Sequence, residues 1–204
     1  DLFLPLESKG LVPDKNWKRG RFGTEWHLGE TINATIGQGY LLTTPMQLAV
    51  MTARLVNGGY AVEPWIVAHD GIYHSRKRQT QWSKMRVGDR HLRMIAKGME
   101  KVVTGEDGTA KTAAIGVEGQ EMGGKTGTAQ VRRITMEERR EGLLSQEDII
   151  WKHRHHALFV GYAPFDNPRY VVSVVVEHGG SGSGAAAPIA RDILKAAQEI
   201  NPSQ

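Results

Sequence analysis

The sequence predicts an α+β fold built on a largely antiparallel β-sheet. Helical patterns come first along the chain, two apolar strands follow near its end, and an amphipathic segment closes it. The two strands are separated by a short turn with two prolines, so we expect a hairpin. A helix that follows a hairpin buries its apolar face against the sheet, which gives the α+β arrangement.

The composition is that of a globular protein. The 204 residues are 40% hydrophobic and 24% charged, with a formal net charge of +4. This mild positive excess permits an anionic partner but does not indicate nucleic acid, and we expect none. The absence of cysteine excludes disulfides, thiol nucleophiles and cysteine zinc sites. No apolar run approaches the roughly 18 residues of a membrane span.

Two helices are predicted before the strands. Thr44, followed by proline, is a suitable N-cap, and residues 48–56 place apolar side chains at helical spacing before an Asn-Gly-Gly sequence. A second helix is expected from a cap at Asp89 to Gly105. Its predicted apolar stripe consists of Leu92, Ile95, Ala96, Met99, Val102 and Val103.

Two other stretches have weaker patterns. Residues 1–36 are poorly periodic, and we interpret them as surface structure with a solvated basic stretch at residues 15–21. Residues 60–88 indicate short strands and turns, with a hairpin near Gly71 and Tyr73.

Three strands and a last helix are expected in the second half of the chain. Residues 122–131 alternate small and β-branched residues, and residues 157–163 and 170–177 are apolar at adjacent positions, which indicates cover on both faces. Residues 132–155 are highly charged and predict an exposed excursion with a partly helical tip. The final helix is expected from about Ala186. Its predicted apolar face consists of Ile189, Ile193, Leu194 and Ala197.

Two polar stretches could carry chemistry but have plainer interpretations. His153, His155 and His156 lie close together, but their spacing matches no specific metal site, so we expect a basic, solvated loop and no metal. Residues 179–184, GGSGSG, predict a flexible loop.

Residues 119–126, GQEMGGKT, admit two interpretations. They match the phosphate-binding loop pattern G-x-x-x-x-G-K-T, whose backbone N–H groups cradle phosphates. That loop needs a helix after the lysine, whereas residues 127–131, GTAQV, make a poor first helical turn. The alternative is a strand carrying K-T-G-T, which we expect over residues 126–131 beside residues 157–163.

The strand interpretation agrees with a resemblance that covers nearly the whole chain. Residues 125–127 form the K-T-G triplet of penicillin-binding proteins and serine β-lactamases. Four further segments resemble class B penicillin-binding proteins: 31–40 (TINATIGQGY), 43–49 (TTPMQLA), 108–110 (GTA) and 159–164 (FVGYAP). Residues 10–19 resemble the elongation-type members of that class.

The resemblance implies the transpeptidase fold of the penicillin-binding protein and serine β-lactamase group, incomplete in this chain. The family's nucleophile is the serine of S-x-x-K and its second motif is S-x-N, and no serine here has lysine three residues later or asparagine two residues later. The chain also starts at Asp1 without an initiator methionine. We therefore expect residues 1–204 to be the C-terminal part of a single transpeptidase domain, without nucleophile, pedestal domain or membrane anchor.

The implied activity is D,D-transpeptidation of peptidoglycan at the periplasmic face of the bacterial inner membrane, with no cofactor. A serine is acylated by a stem peptide, and an amine of a neighbouring stem takes the acyl group. Lys125 would act electrostatically, and the backbone N–H of Thr128 would be an oxyanion donor. The hydroxyls of Thr126 and Thr128 would bind the peptide carboxylate beside Gly127, where a substrate backbone approaches closely. The Gly-Ser loop would border the cleft.

The implied partners are peptidoglycan stem peptides, β-lactam antibiotics and cell-elongation membrane proteins that include a lipid II glycosyltransferase. The membrane would be reached through a segment absent here. Two alternatives stay open: a D,D-carboxypeptidase or β-lactamase of the same fold, and a non-catalytic module that binds partners or muropeptide. The Gly-Gln-Gly-Tyr and Thr-Thr-Pro segments favour class B, whereas the missing serine favours the module for the isolated chain.

Overall fold

The structure is a computed structural model of the chain. It describes residues 7–64, 81–132 and 148–201, with isolated positions at 136, 140, 142 and 145. The hairpin predicted near Gly71 and Tyr73 lies outside the described residues, as does most of residues 133–147 within the charged excursion.

Two compact units make up the chain, Asp1–Gln47 and Leu48–Gln204. The assignment of residues 1–204 to a single domain therefore stays a prediction. None of the helices in the described ranges combines the length and apolar character needed to cross a membrane.

The first unit contains two short helices that the sequence pattern did not predict. Helix α1 runs over Lys15–Phe22 and helix α2 over Leu28–Thr35. The Asp14 side chain caps α1 by accepting the backbone N–H of Trp17 at 2.7 Å. Most described residues of 7–36 are exposed, as the interpretation as surface structure expected, but the stretch also contains two helices. A capping side chain fixes α1, which has no long apolar stripe.

A buried ion pair joins the two short helices. The ammonium of Lys18 donates to the carboxylate of Glu30 at 2.6 Å, and the Lys18 side chain is 6% exposed. The backbone N–H of His27 and the Lys18 ammonium together lower the pKa of Glu30. The prediction of a solvated basic face was therefore wrong at Lys18, although Arg19, which pairs with Glu25, is exposed.

The described part of the second unit contains an antiparallel sheet of three strands in the order β1-β2-β3. The strands are β1 at Gly123–Ala129, β2 at His156–Ala163 and β3 at Tyr170–Val176. Lys125 is opposite Val160 in the β1–β2 register. The predicted hairpin and the predicted neighbour of the K-T-G strand are confirmed. Because a strand and not a helix follows Lys125, the phosphate-loop interpretation was wrong.

The longer helices have nearly the predicted bounds. Helix α3 runs over Pro45–Val56, α4 over Asp89–Thr104 and α5 over Ala187–Ile200. The cap of α4 is Gly88, so Asp89 is its first helical residue and not its cap. Ile95 was predicted to be buried but is exposed. The described part of residues 60–88 has an isolated bridge between Tyr60 and Lys84 in place of a strand.

Both faces of the central strand β2 are covered, as its apolar sequence predicted. Phe159 belongs to one buried cluster, together with Leu194 of α5. The next residue, Val160, belongs to a second cluster on the opposite face, together with Met99 of α4. Helices therefore lie on both sides of the sheet.

Helix α5 buries only part of the predicted face: Leu194 is buried as predicted, whereas the two isoleucines are not. Ile189 and Ile193 are 44% and 48% exposed. The buried residues are Ala187, Ala190, Leu194 and Gln198. The pattern failed because alanines, which add little to an apolar stripe, allow the helix to lie close to the sheet. The buried Gln198 side chain donates its amide to the carbonyl of Gln120.

Candidate functional site

The candidate site lies on strand β1, which carries the K-T-G-T sequence. Among the described residues, β1 pairs with β2 on one side and forms the edge of the sheet. A Cβ atom on Gly124 would lie 2.2 Å from Cζ of Phe159, and one on Gly123 would lie 2.9 Å from the ring of Tyr162. The two glycines therefore let the buried aromatic rings of β2 pack against the backbone of β1, which fixes the strand in place.

Lys125 presents its charge at the exposed edge of the strand. Its side chain is exposed, and its Nζ donates to the carbonyl oxygen of Thr126 at 2.7 Å. Residues 125 and 126 point to opposite faces of the sheet, because side chains alternate along a strand. The ammonium thus stays next to the strand backbone, where it is accessible to an anionic ligand.

The hydroxyl of the half-buried Thr126 meets a second hydroxyl from outside the strand. Its Oγ1 atom lies 3.1 Å from Oγ1 of Thr109. The loop that carries Thr109 is fixed to the end of α4, since the N–H of Ala110 donates to the carbonyl of Val102 at 2.9 Å. A Cβ atom on Gly108 would lie 2.6 Å from that same carbonyl oxygen, so only glycine fits there.

Thr109 is a site residue that reasoning from residue chemistry missed. The sequence offered a signal, the Gly-Thr-Ala segment at residues 108–110, but only as part of the family resemblance. The contact with Thr126 gives this segment a physical role: glycine allows the close approach to α4, threonine reaches β1, and the buried alanine anchors the loop.

The Gly-Ser segment packs against β1 at Gly127. Gly182 is buried, and a Cβ atom on it would lie 2.5 Å from the carbonyl oxygens of both Gly127 and Leu158. Residues Gly182–Ala186 form a single turn that leads into α5 and is capped by Ser181. The prediction of a flexible loop was therefore wrong for this part of the segment, which lies directly beside the K-T-G-T strand.

Thr128 is exposed and lies opposite Ala157 in the β1–β2 register. The structure thus brings Lys125, Thr126, Gly127 and Thr128 together on one edge strand, as the sequence predicted. Their individual roles in substrate binding and catalysis stay predictions.

His155 links the end of β1 to the Gly-Ser segment. Its Nδ1 accepts the N–H of Val131 at 3.3 Å, and its carbonyl accepts the N–H of Gly180 at 2.8 Å. The side chain is buried, and burial, Arg132 and His156 lower its pKa. The prediction of a basic, solvated loop was therefore wrong at this residue.

His156 and His178 are also engaged in structural contacts, whereas His153 is exposed, as predicted for a solvated loop. Nδ1 of His156 accepts the backbone N–H of His178 at 2.9 Å, and the two rings lie 4.7 Å apart. In the part of the chain that the structure describes, no cluster of three His, Asp or Glu side chains has the geometry to hold a metal ion.

Acid is expected to destabilise the chain through His155. Because the folded state lowers the pKa of His155 below its ordinary value of 6.5, the unfolded state binds a proton more readily below that pH. The free energy of unfolding should therefore decrease as the pH falls from 6.5 to the lowered pKa. Below that lowered pKa, His155 should cause no further decrease. Urea titrations from about pH 8 to pH 5 measure the effect.

The variant His155→Asn is the control for this titration. Its Oδ1 replaces Nδ1 as the acceptor for Val131 but does not titrate. The pH dependence of the native chain minus that of the variant isolates His155 from the other histidines. Identical pH dependence in the two proteins would contradict the expected role.

Comparison with known families accounts for the K-T-G-T strand and its surroundings. A family model described as "Penicillin binding protein transpeptidase domain" matches residues 1–195. This chain belongs to the penicillin-binding protein transpeptidase family. The antiparallel sheet covered by helices is thus the penicillin-binding transpeptidase fold that the resemblance implied.

Individual relatives agree with the elongation-type resemblance. A protein named peptidoglycan D,D-transpeptidase MrdA, from Acinetobacter baumannii, is 35% identical over 94% of this chain. A crystal structure of Pseudomonas aeruginosa PBP2 is 37% identical over 93% of the chain, with a TM-score of 0.73. A Helicobacter pylori PBP2 in complex with MreC is 28% identical over 97%, with a TM-score of 0.77.

The match covers a minor part of each relative. This chain spans 28% of the Acinetobacter protein, 38% of the Pseudomonas PBP2 chain and 32% of the Helicobacter PBP2 chain. The family match therefore applies to the residues of this chain, which are about a third of each relative's length.

Proposed function

We propose that this chain is the C-terminal part of the transpeptidase domain of a peptidoglycan D,D-transpeptidase, called here the complete transpeptidase. The observation that carries the proposal is the edge strand β1, which holds an exposed Lys125 next to Thr126 in a chain that the transpeptidase family matches over residues 1–195. Relatives at 33% and 35% identity bear the name peptidoglycan D,D-transpeptidase.

In this proposal β1 forms one wall of the active-site cleft. A stem peptide lies along the exposed edge, and the ammonium of Lys125 and the hydroxyls of Thr126 and Thr128 receive its terminal carboxylate. Gly127 lets the peptide backbone approach, since it has no side chain. The backbone N–H of Thr128 supports the oxyanion that develops on the attacked carbonyl.

The proposed reaction proceeds through an acyl-serine. A serine hydroxyl attacks the carbonyl of the penultimate D-Ala, its proton passes to a base, and the bond to the terminal D-Ala breaks to release that amino acid. An amine of a second stem peptide then attacks the ester, which forms the cross-link and frees the serine. A β-lactam acylates the same serine by opening its ring.

The nucleophile of this reaction is not supplied by the 204 residues. No serine in the sequence stands in an S-x-x-K pattern. Ser181 and Ser183 are close to β1 in the chain's Gly-Ser segment, but their hydroxyls contact each other at 2.8 Å, and no lysine lies within three residues of either. The isolated chain is thus proposed to be inactive in acylation.

The test compares the isolated chain with the complete transpeptidase. After incubation with a fluorescent penicillin, intact-protein mass spectrometry is expected to show a stoichiometric adduct on the complete transpeptidase and none on the 204-residue chain. A hydroxylamine-sensitive adduct on the isolated chain would contradict its inactivity. The absence of an adduct on the complete transpeptidase would contradict the proposed function itself.

The proposal extends to partners and location. The Helicobacter pylori relative forms a complex with MreC, which supports cell-elongation proteins as partners of the complete transpeptidase. Another relative belongs to a peptidoglycan synthase complex that coordinates polymerization and crosslinking, which supports a lipid II glycosyltransferase among those partners. Its substrates would be peptidoglycan stem peptides and its inhibitors β-lactams. Peptidoglycan is made outside the cytoplasm, so the periplasmic face of the inner membrane is the proposed location.

A further inference from the structure

Thr109 and Thr126 form a hydroxyl pair across two separate elements. Their Oγ1 atoms lie 3.1 Å apart, although the residues are 17 positions apart in sequence, and either atom could be the donor. Each hydroxyl has one proton to donate and two lone pairs to accept with. The direction of this hydrogen bond therefore decides whether Thr126 retains its own proton for a ligand.

We propose that Thr109 is a positioning residue that donates to Thr126 and thereby directs the Thr126 proton at an anionic carboxylate. The inference rests on the proposed function, in which Thr126 binds the substrate carboxylate. A carboxylate only accepts hydrogen bonds, so Thr126 must donate to it. Thr126 then has lone pairs left to accept from Thr109, and the two bonds run in one direction toward the negative charge.

Such an ordered pair strengthens the outer hydrogen bond. Hydrogen bonds to an ionised acceptor are stronger than neutral ones, and a hydroxyl that accepts a bond becomes a better donor. Selectivity for the anion follows, because a neutral ester oxygen gains less from the same arrangement. The effect of Thr109 should therefore appear with ligands that carry a free carboxylate.

The position of Thr109 is fixed before any ligand arrives. Gly108 donates its N–H to the carbonyl of Gly105 at 2.9 Å, and Ala110 is 1% exposed and bonded to Val102 at 2.9 Å. A donor held in this way needs no rearrangement when the anion binds.

A positive charge lies next to Thr126 on the same strand. Lys125 Nζ lies 2.7 Å from the carbonyl oxygen of Thr126. Thr126 thus has the Lys125 ammonium next to its backbone carbonyl and its own hydroxyl as a hydrogen-bond donor. In the proposed function, the carboxylate that Lys125 attracts to this edge also receives the Thr126 proton that Thr109 leaves free.

The experiment uses the complete transpeptidase and two probes, a labelled penicillin with a free carboxylate and the methyl ester of the same compound. Thr109→Val keeps the shape and removes the hydroxyl, and is expected to slow acylation by the acid about tenfold while the ester rate stays unchanged. Thr109→Ser retains the hydroxyl and is expected to keep the acid rate within about twofold. The matched control Thr112→Val should change neither rate, since Thr112 contacts Arg191 through its backbone carbonyl.

A double-mutant cycle completes the test. If Thr109 acts through Thr126, then Thr109→Val is expected to add little in a Thr126→Val background. Equal slowing of acid and ester by Thr109→Val, or no slowing at all, overturns the inference and leaves the proposed function intact. If Thr126→Val does not change the ratio of the acid and ester acylation rates, Thr126 is not a carboxylate ligand. That part of the proposed function is then contradicted.

Discussion

Replacing Lys125 with alanine in the complete transpeptidase is expected to slow acylation by a labelled penicillin by a factor of about 100 to 1000. Lys125 lies exposed on β1, where its ammonium is held at the edge by the carbonyl of Thr126. The substitution removes a positive charge beside the proposed carboxylate and nucleophile. The second-order rate constant of acylation, followed by fluorescence of the adduct, measures the effect.

The matched control for this prediction is Lys195→Ala. Lys195 is an exposed lysine on α5, whose substitution removes the same charge away from β1. Because both lysines are exposed, we expect both variants to keep the native thermal unfolding midpoint. An acylation rate in Lys125→Ala equal to that of the control would contradict the role of the K-T-G-T strand.

The elements that the sequence predicted are those in which local signals agree. The hairpin of β2 and β3 follows from two apolar runs and a short proline-containing turn. Helices α3 and α4 have both a stop signal and a periodic apolar face. The position of helix α5 along the chain was predicted correctly, but its buried face was predicted only in part. Close approach through Ala187 and Ala190 determines which residues are buried.

The parts of the site that the sequence did not predict depend on contacts between distant residues. Lys125 and Thr126 were predicted as site residues because their signal lies in adjacent positions. Thr109 contacts Thr126 across 17 positions and His155 contacts Val131 across 24, so neither contact has a local pattern. The burial of Gly182 also depends on distant residues. The composition of the Gly-Ser segment indicates flexibility, and only the carbonyl oxygens of Gly127 and Leu158 require a residue without a side chain at position 182.

Introducing a single methyl group on β1, by Gly124→Ala, is expected to lower the free energy of unfolding of the 204-residue chain by about 3 kcal/mol. The new Cβ atom would lie 2.2 Å from Cζ of Phe159 and 2.7 Å from the carbonyl oxygen of Val160. The ring of Phe159 is 1% exposed in the cluster with Leu194, so it can move only by displacing buried neighbours. Urea unfolding followed by circular dichroism measures the loss.

Two further variants separate this steric cause from a general effect of alanine. Gly98 lies inside α4 with no atom within 4 Å of its added Cβ, so Gly98→Ala is expected to stabilise the chain by about 0.5–1 kcal/mol. Phe159→Leu removes the ring atoms that Gly124→Ala would meet. In that background the cost of Gly124→Ala should shrink by about 1 kcal/mol or more, because residues in contact are coupled. Equal costs in both backgrounds would show that the ring of Phe159 does not determine the need for glycine, and that the backbone oxygen of Val160 alone fixes the spacing of the K-T-G-T strand.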